Sequence, residues 1–254
     1  MQLVRLIGDL FRYIGSISFF ICDTFKWLFT KKRNLVNLLR EMVFIGVDNL
    51  ILVSLICFFI GIIIAFQTAY QLQQFSSEIQ LAPLVAMSLV RELGPVIGAL
   101  IVAARTGASI TAGIGSMKIS EQIDALEAFG VEPIDYLVVP KFLSLLICMP
   151  VLIIYADFVG IIGGYLVGAF KFAIPYKLYF RMTVDALSFR DIFSGLAKST
   201  TFGCVIAFIS SYEGFRPFSS IDVSRAVTLS VVRSFITIII FDCILTAIFY
   251  FTWT

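Results

Sequence analysis

The sequence has no histidine and few charged residues. Only 14% of its 254 residues are Asp, Glu, Lys or Arg, whereas 59% are hydrophobic, and soluble domains carry about 25% charged residues. A soluble fold of this length cannot bury so much apolar surface, so we predict an integral membrane protein. The lack of histidine removes the usual metal ligand and the commonest general base. The net charge of +2 is too small to indicate nucleic-acid binding.

Cysteine is also sparse, and its spacing argues against a metal site or a disulfide framework. The five cysteines are scattered, mostly within apolar runs, and no two of them form a C-x-x-C pair. We therefore expect them to be small buried hydrophobic side chains. We expect this chain to hold no metal and no cofactor of its own.

Residues 4–28 are predicted to form an amphipathic helix. Arg5, Asp9 and Arg12 recur at helical spacing on one face. These charges also break the apolar stretch that a cleaved signal peptide would need. Such a helix can lie in the membrane interface or pack against the rest of the protein, and the pattern leaves both open. The basic cluster at residues 31–33 is expected to lie in the cytoplasm.

Five later stretches are long and apolar enough to cross a bilayer as helices. The loop after the first stretch has no Lys or Arg, which favours the outer side, whereas the loop at 171–190 has four, which counts against this topology. The predicted fold is all-α, with an N-terminal interfacial helix, five transmembrane helices and a short cytoplasmic helix between the second and third. The predicted spans are about residues 44–66, 83–110, 137–170, 191–211 and 227–252.

The second span carries charges inside an apolar run. Arg91 and Arg105 are fourteen residues apart, so they share a helix face at a separation of about 21 Å. With Glu92, they either line a polar cavity or bind an anionic headgroup, or the arginines merely anchor the helix at the membrane surface. Gly94 and Gly98 form a G-x-x-x-G step, which favours close helix contact.

Two further spans contain polar or glycine-rich faces. Gly160, Gly164 and Gly168 repeat every four residues in the third span, where another helix can approach closely. Asp157 lies one turn before this stripe. The fourth span has the polar run 198–201 (KSTT) in its middle, and this run is expected to face the bundle or a cavity.

The short polar segment after the second span is predicted to form an amphipathic surface helix. Ser120 is a candidate N-cap, and the helix would end at Gly130. Acidic residues spaced by three form one stripe and apolar residues form another. A helix of this kind either docks into a groove on a partner or lies against the base of its own bundle.

One stretch of the sequence resembles part of a P-loop but does not match the motif that a nucleotide site requires. Residues 195–200 read GLAKST, but Ala197 and Ile192 stand where the motif requires glycine. The backbone therefore lacks the glycines that cradle phosphate. Any energy from ATP must come from another subunit.

Three segments together resemble the MlaE family. They are residues 61–75, 91–142 and 156–168, and the most specific run is EQIDALEAFGVEPIDYLVVP, at 121–140. Members of this family are permease subunits of ABC transporters that move phospholipids between membranes, and chloroplast envelope lipid permeases belong to it. The resemblance covers about residues 45–250.

The resemblance implies an assembly and a location. It implies a homodimer in the bacterial inner membrane, or alternatively in the chloroplast inner envelope. A separate cytoplasmic ATPase would bind ATP and Mg²⁺, and a periplasmic MCE-domain protein would exchange phospholipid with the permease. Residues 1–254 would form a single permease domain, in which 1–43 are the interfacial helix and basic elbow and 44–254 are the transmembrane bundle.

The resemblance also assigns roles to residues. The lipid cavity would lie at the dimer centre, so Arg91 and Glu92, with Arg105, become candidates for its lining. The helix that binds the ATPase matches the surface helix after the second span. Its candidate coupling residues are Glu121, Gln122, Asp124, Ala125, Leu126, Glu127 and Phe129.

The chain departs from the family pattern at two places. Family members often have an acidic residue where this chain has Gly113. The loop before the last span is commonly glycine-rich and followed by paired threonines, whereas here residues 214–230 read GFRPFSSIDVSRAVTLS. Roles carried by these positions are therefore absent here or moved.

The predicted function is that of a permease subunit that is not itself an enzyme. Two other functions are alternatives to it. An ion-coupled secondary transporter of a lipidic or hydrophobic substrate would use Asp157, Asp242, Glu92 and Lys198 as carriers, but it would be favoured by inverted repeats, which the sequence does not show. A membrane-embedded lipid enzyme would need a convergent nucleophile and base. Without histidine, buried carboxylates and Lys198 alone remain for that role.

Overall fold

The computed structural model describes residues 2–30, 35–74 and 78–253, and these ranges are almost entirely helical, with no strand among them. The basic cluster predicted at 31–33 lies outside the described residues. The helices follow one another with short connections. They are α1 (Gln2–Thr30), α2 (Leu35–Gln73), α3 (Leu81–Ile119), α4 (Gln122–Ala128), α5 (Ile134–Phe172), α6 (Tyr176–Ala186), α7 (Phe189–Gly214) and α8 (Ser220–Trp253).

Five of these helices, α2, α3, α5, α7 and α8, are long and apolar enough to cross a membrane. This confirms the predicted all-α membrane fold with five spans, and α4 lies between the second and third of them in the chain. The helices extend past the predicted limits because amphipathic turns continue the apolar runs. The predicted loop at 171–190 contains α6, which begins directly after Pro175.

Three π-helical turns interrupt these long helices of the described chain, and a fourth begins α5. They lie at Val43–Val47, Leu89–Leu93, Ala103–Gly107 and Ile134–Val138. In the second of them the amide of Gly94 donates to the carbonyl of Leu89, five residues earlier. Single π turns inside α-helices are frequent at functional sites. Two of these turns carry the charges predicted to be functional in the second span.

The chain divides into two compact units. The first contains the described parts of Met1–Val43, Ala103–Leu145 and Gly203–Thr237, and the second contains those of Phe44–Val102, Leu146–Phe202 and Ile238–Thr254. Both units contain buried apolar and buried polar residues. The prediction of a single permease domain over 1–254 stays a prediction.

In the first unit, one face of α1 packs against the protein. The hydroxyl groups of Ser16 and Tyr212 are 2.6 Å apart, and Tyr13 meets Tyr212 edge to face at 5.4 Å between ring centroids. Phe11 and Phe19 remain 70% and 77% exposed, which leaves apolar side chains for a membrane interface. Packing of one face against the protein is therefore shown, whereas the interfacial placement of the other face stays a prediction.

A buried charge cluster joins α1, α7 and α8 in the first unit. Glu213 is 1% exposed and pairs with Arg233, and Arg216 lies 3.5 Å from its other oxygen. The Arg233 guanidinium lies 4.2 Å from the ring centroid of Tyr13, a cation–π distance. Burial, followed by the charge of Glu213, raises the pKa of the Tyr13 hydroxyl above its ordinary value. The phenol therefore stays neutral beside this ion pair.

In the second unit, α2 and α5 approach each other through glycine. A Cβ atom at Gly61 would overlap the backbone carbonyl of Gly160. A Cβ at Gly164 would come within 2.8 Å of both the Tyr179 hydroxyl and a Val85 methyl group. Small residues at such positions allow backbones to pack directly, which is the main source of helix association in a membrane.

Replacing Gly61 with alanine is expected to destabilise the protein by about 1–3 kcal/mol, because the added methyl group meets backbone that cannot rotate away. The matched control is Gly113→Ala, at an exposed position with no atom within 4 Å of an added Cβ. Alanine there should stabilise α3 slightly, by about 0.5–1 kcal/mol, through helix propensity. Thermal melting in detergent measures both variants, and equal melting temperatures would contradict the contact.

Candidate functional site

A polar cleft of about 420 Å³ opens in the second unit. It lies among α3, α7, α8 and the residue before α7, and all of its lining residues belong to that unit. The lining combines three cationic and two anionic side chains with two aromatic rings. The residues that line it are Arg91, Glu92, Ser188, Arg190, Asp191, Ser194, Lys198, Thr246, Phe249 and Tyr250.

The most buried charge of the cleft is Lys198, whose side chain is 1% exposed. Its ammonium group pairs with Glu92 and lies 2.9 Å from an oxygen of Asp242. It also donates to the Thr246 hydroxyl at 2.7 Å. A cation within membrane-spanning helices is costly unless it is paired, and here two carboxylates from two other helices surround it. Lys198 thus joins α3, α7 and α8 through charge.

A second ion pair lies on the same cleft. The Nε of Arg91 donates to Asp191 at 2.6 Å. The other oxygen of Asp191 accepts from the backbone amide and the hydroxyl of Ser188, both at 2.9 Å. Ser188 and Asp191 thereby form one half of a capping box at the start of α7, in which the carboxylate accepts from the N-cap amide. Because this box fixes the carboxylate, the Arg91 side chain is held at the cleft while 46% of it stays exposed.

Two of the three residues predicted to line a lipid cavity lie in the cleft, and the third does not. Arg91 and Glu92 line it, and their charges go to different partners, as expected for neighbours on a helix. Arg105 lies in the π turn of the first unit and is exposed. Sequence reasoning placed Lys198 on an inward face but did not pair it with Glu92.

Several lining residues were missed in the sequence, and their signals differ. Asp242 was not among them, because as a charge in the apolar run of α8 it was already a candidate ion carrier, and the structure pairs it with Lys198. Asp191 and Ser188 fell at the edge of a predicted loop, where the spacing S-x-x-D could have indicated a capping box. Thr246 gives no signal, since threonine is common in apolar helices.

The predicted surface helix is present as α4, but its start differs from the prediction. The prediction that Ser120 caps it is wrong, because the Ser120 hydroxyl donates back to the Ser116 carbonyl at 2.8 Å. Glu121 precedes the helix with φ 57°, a left-handed conformation that turns the chain between α3 and α4. Gly130, with φ 72°, follows the end of α4.

The side chains of α4 divide between its own unit and the surface. Ile123 is 1% exposed and Leu126 is half-buried, so one face rests on the first unit. Asp124 lies 3.6 Å from Lys118, and Phe129 is 85% exposed. The remaining candidate coupling residues, which are Glu121, Gln122, Ala125 and Glu127, are all exposed. The helix therefore anchors by one face and presents an acidic and aromatic surface.

The predicted packing glycines lie at contacts within the second unit. A Cβ at Gly94 would overlap the carboxyl group of Asp157, and one at Gly98 would overlap the side chain of Ile153. A Cβ at Gly160 would lie 3.1 Å from a Leu89 methyl group. A Cβ at Gly164 or at Gly168 would meet Tyr179, in the second case at 3.4 Å from its ring. These contacts join α3, α5 and α6.

Comparison with known proteins gives the class of this chain. The family model described as Permease MlaE matches residues 38–248. A probable ABC transporter permease protein of Rickettsia conorii is 39% identical over 93% of this chain and 92% of its own length. The intermembrane phospholipid transport system permease protein MlaE of Haemophilus influenzae is 34% identical over 97% and 95%. A probable ABC transporter permease protein of a Synechocystis species is 29% identical over 91% and 88%.

The chain is therefore a membrane permease. With five apolar spanning helices, it is a multi-pass protein of the bacterial inner membrane. It belongs to the MlaE permease family.

Proposed function

We propose that this permease is the membrane subunit of an ABC transporter that moves phospholipids between membranes and is powered by a separate cytoplasmic ATPase. The observation that carries the proposal is the charged cleft, in which Lys198 is buried among carboxylates and Arg91 is half exposed. A polar cleft within apolar helices suits a molecule with a charged headgroup and apolar tails. The name of the Haemophilus relative refers to such a transport system.

The chemistry of the cleft fits a phospholipid headgroup. The planar guanidinium of Arg91 can bind two phosphate oxygens at once. Glu92 and Asp242 would balance Lys198 when no headgroup is bound and would face the cationic part of a zwitterionic headgroup when one is. A volume of about 420 Å³ fits a headgroup, and the acyl chains would remain among apolar side chains such as Phe249.

The proposed ATPase would bind at α4. Its exposed face carries Asp124 and Glu127, with Phe129 as an aromatic anchor, a combination that suits a groove with basic walls and an apolar floor. The helix α3 carries Arg91 and Glu92 and ends at Ile119, just before α4 begins. A push on α4 would therefore be passed along α3 toward the residues of the cleft.

A second copy of the chain and a periplasmic MCE-domain protein complete the proposed assembly. Only 6% of the most apolar window of α8 is buried, against 50% for α3 and α5. A helix so exposed needs either lipid or another helix against it, which supports a homodimer through this face. The proposal of an MCE-domain partner is supported by the family resemblance alone.

The test is transfer of lipid by purified components. The permease, co-purified with its native partners and identified by mass spectrometry, is placed in donor liposomes that contain a fluorescent phospholipid. Transfer to acceptor liposomes should require ATP and an intact ATPase. Transfer by the permease alone along an ion gradient would overturn the proposal in favour of a secondary transporter.

Replacing Arg91 with alanine is expected to lower the amount of phospholipid that co-purifies with the permease by about tenfold, because one charge-assisted phosphate contact is worth about 1.5–3 kcal/mol. Native mass spectrometry measures the bound lipid. Arg181→Ala is the matched control, since Arg181 is 81% exposed on α6 and pairs weakly with Asp185 at 3.7 Å. Equal loss in both variants would mean that general charge, and not the cleft, holds the lipid.

A further inference from the structure

The second unit contains a buried carboxyl group outside the cleft. Asp157, on α5, is 7% exposed, and its Oδ1 is buried with no hydrogen-bond partner. A buried carboxylate usually accepts several hydrogen bonds or pairs with a cation. An unpaired charge at this depth in a membrane-spanning helix costs several kcal/mol. The group therefore needs either a partner or a proton.

Among the described residues, none gives the buried oxygen of Asp157 a hydrogen bond. Its Oδ1 occupies the position that a Cβ of Gly94 would take, and the Leu89 carbonyl lies 3.1 Å from that same position. Both residues flank the π turn at Leu89–Leu93 of α3. A carbonyl oxygen repels a carboxylate but accepts a hydrogen bond from a carboxylic acid. The site is thus built of groups that suit the protonated form.

The titratable groups on the neighbouring elements do not neutralise Asp157. On α2 the Cys57 thiol is buried and lies within electrostatic range of the carboxyl group. On α6 the Tyr179 hydroxyl lies against Gly164, two turns along α5 from Asp157 or about 10 Å. Neither of these side chains supplies a positive charge.

The charged groups of α3 and α7 are directed elsewhere. On α3, Arg91 pairs with Asp191, and Glu92 pairs with Lys198 of α7. Lys198 is further engaged by Asp242. Arg91 and Lys198 thus already have carboxylate partners.

We propose that Asp157 is a proton-binding site, in which the protonated carboxyl group holds α5 against the π turn of α3. Loss of the proton leaves a carboxylate facing backbone oxygen, so α5 and α3 separate until water reaches the group. Because the same π turn carries Arg91 and Glu92, proton binding at Asp157 sets the position of two cleft residues. The effect on transport rests on the proposed function, whereas the proton site itself does not.

Infrared difference spectroscopy of the purified permease in nanodiscs tests the proton directly. Subtracting the spectrum of Asp157→Asn from that of the unchanged protein at neutral pH should leave the carbonyl stretch of a protonated carboxylic acid. Asp185→Asn, which removes a carboxylate that is 69% exposed, should instead leave carboxylate bands. Carboxylate bands in the Asp157 difference would overturn the proposal, whatever the permease transports.

Folding of the asparagine variant is a second test. Asparagine has the shape of the neutral acid, so Asp157→Asn should fold and melt at or above the temperature of the unchanged protein. A group that is protonated in the fold loses its stabilising effect as pH rises, so the unchanged protein should lose melting temperature relative to the variant toward alkaline pH. If Asp157→Asn fails to fold, the fold requires the carboxylate, and the proposal is wrong.

Discussion

Replacing Lys198 with methionine is expected to abolish ATP-driven lipid transfer and to lower the melting temperature of the permease. The substitution keeps the length of the side chain but removes the charge that separates Glu92 from Asp242. Breaking a buried pair costs about 3–5 kcal/mol, and we expect about half of that because the two carboxylates keep some exposure to solvent. Thermal melting and the liposome transfer assay measure the two effects.

Two matched variants separate charge from packing at this site. Lys198→Arg keeps the positive charge and should retain most of the stability, although its larger planar head changes the geometry. Adding Glu92→Gln and Asp242→Asn to Lys198→Met removes the uncompensated charges, so stability should return while lipid transfer stays lost. If the triple variant is as unstable as Lys198→Met, the defect lies in packing and not in electrostatics.

The helices of this fold were largely predictable because a long apolar run in a membrane commonly forms a continuous helix. A backbone in lipid must satisfy its own hydrogen bonds, and a continuous helix does this locally. The limits were less predictable: α2 begins at Leu35 and not near residue 44 because its first turns are amphipathic. The helix α6 was missed, since Lys177 and Arg181 made its segment look like a loop.

The candidate site was predictable residue by residue but not as an arrangement. Arg91, Glu92, Lys198 and Asp242 each stand out as charges inside apolar helices. Their pairing depends on helix rotation, and the π turn at Leu89–Leu93 changes the rotation of everything after it in a way that residue spacing does not indicate. Asp157 shows the same limit. Only the packing of α5 against α3 reveals that its carboxyl group lies where Gly94 has no side chain, and that its buried oxygen has no hydrogen-bond partner.

Reversing the charge of α4 by Glu121→Lys and Asp124→Lys is expected to weaken binding of the proposed ATPase by at least about tenfold, which corresponds to about 1.4 kcal/mol. Both side chains are exposed, so a partner surface complementary to acidic groups would meet like charge instead. The fold should survive, since α4 is anchored by Ile123 on its other face. Pull-down of the ATPase at increasing salt measures the loss.

The matched control for this reversal changes charge equally at other exposed positions. Asp185→Lys with Asp23→Lys alters two exposed carboxylates, one on α6 and one on α1, and should leave ATPase binding unchanged. Binding at the interface should also depend on Phe129, whose truncation to alanine removes an aromatic anchor without changing charge. Undiminished binding after reversal at Glu121 and Asp124 would show that α4 does not bind the ATPase, and that its acidic face only keeps the helix at the surface.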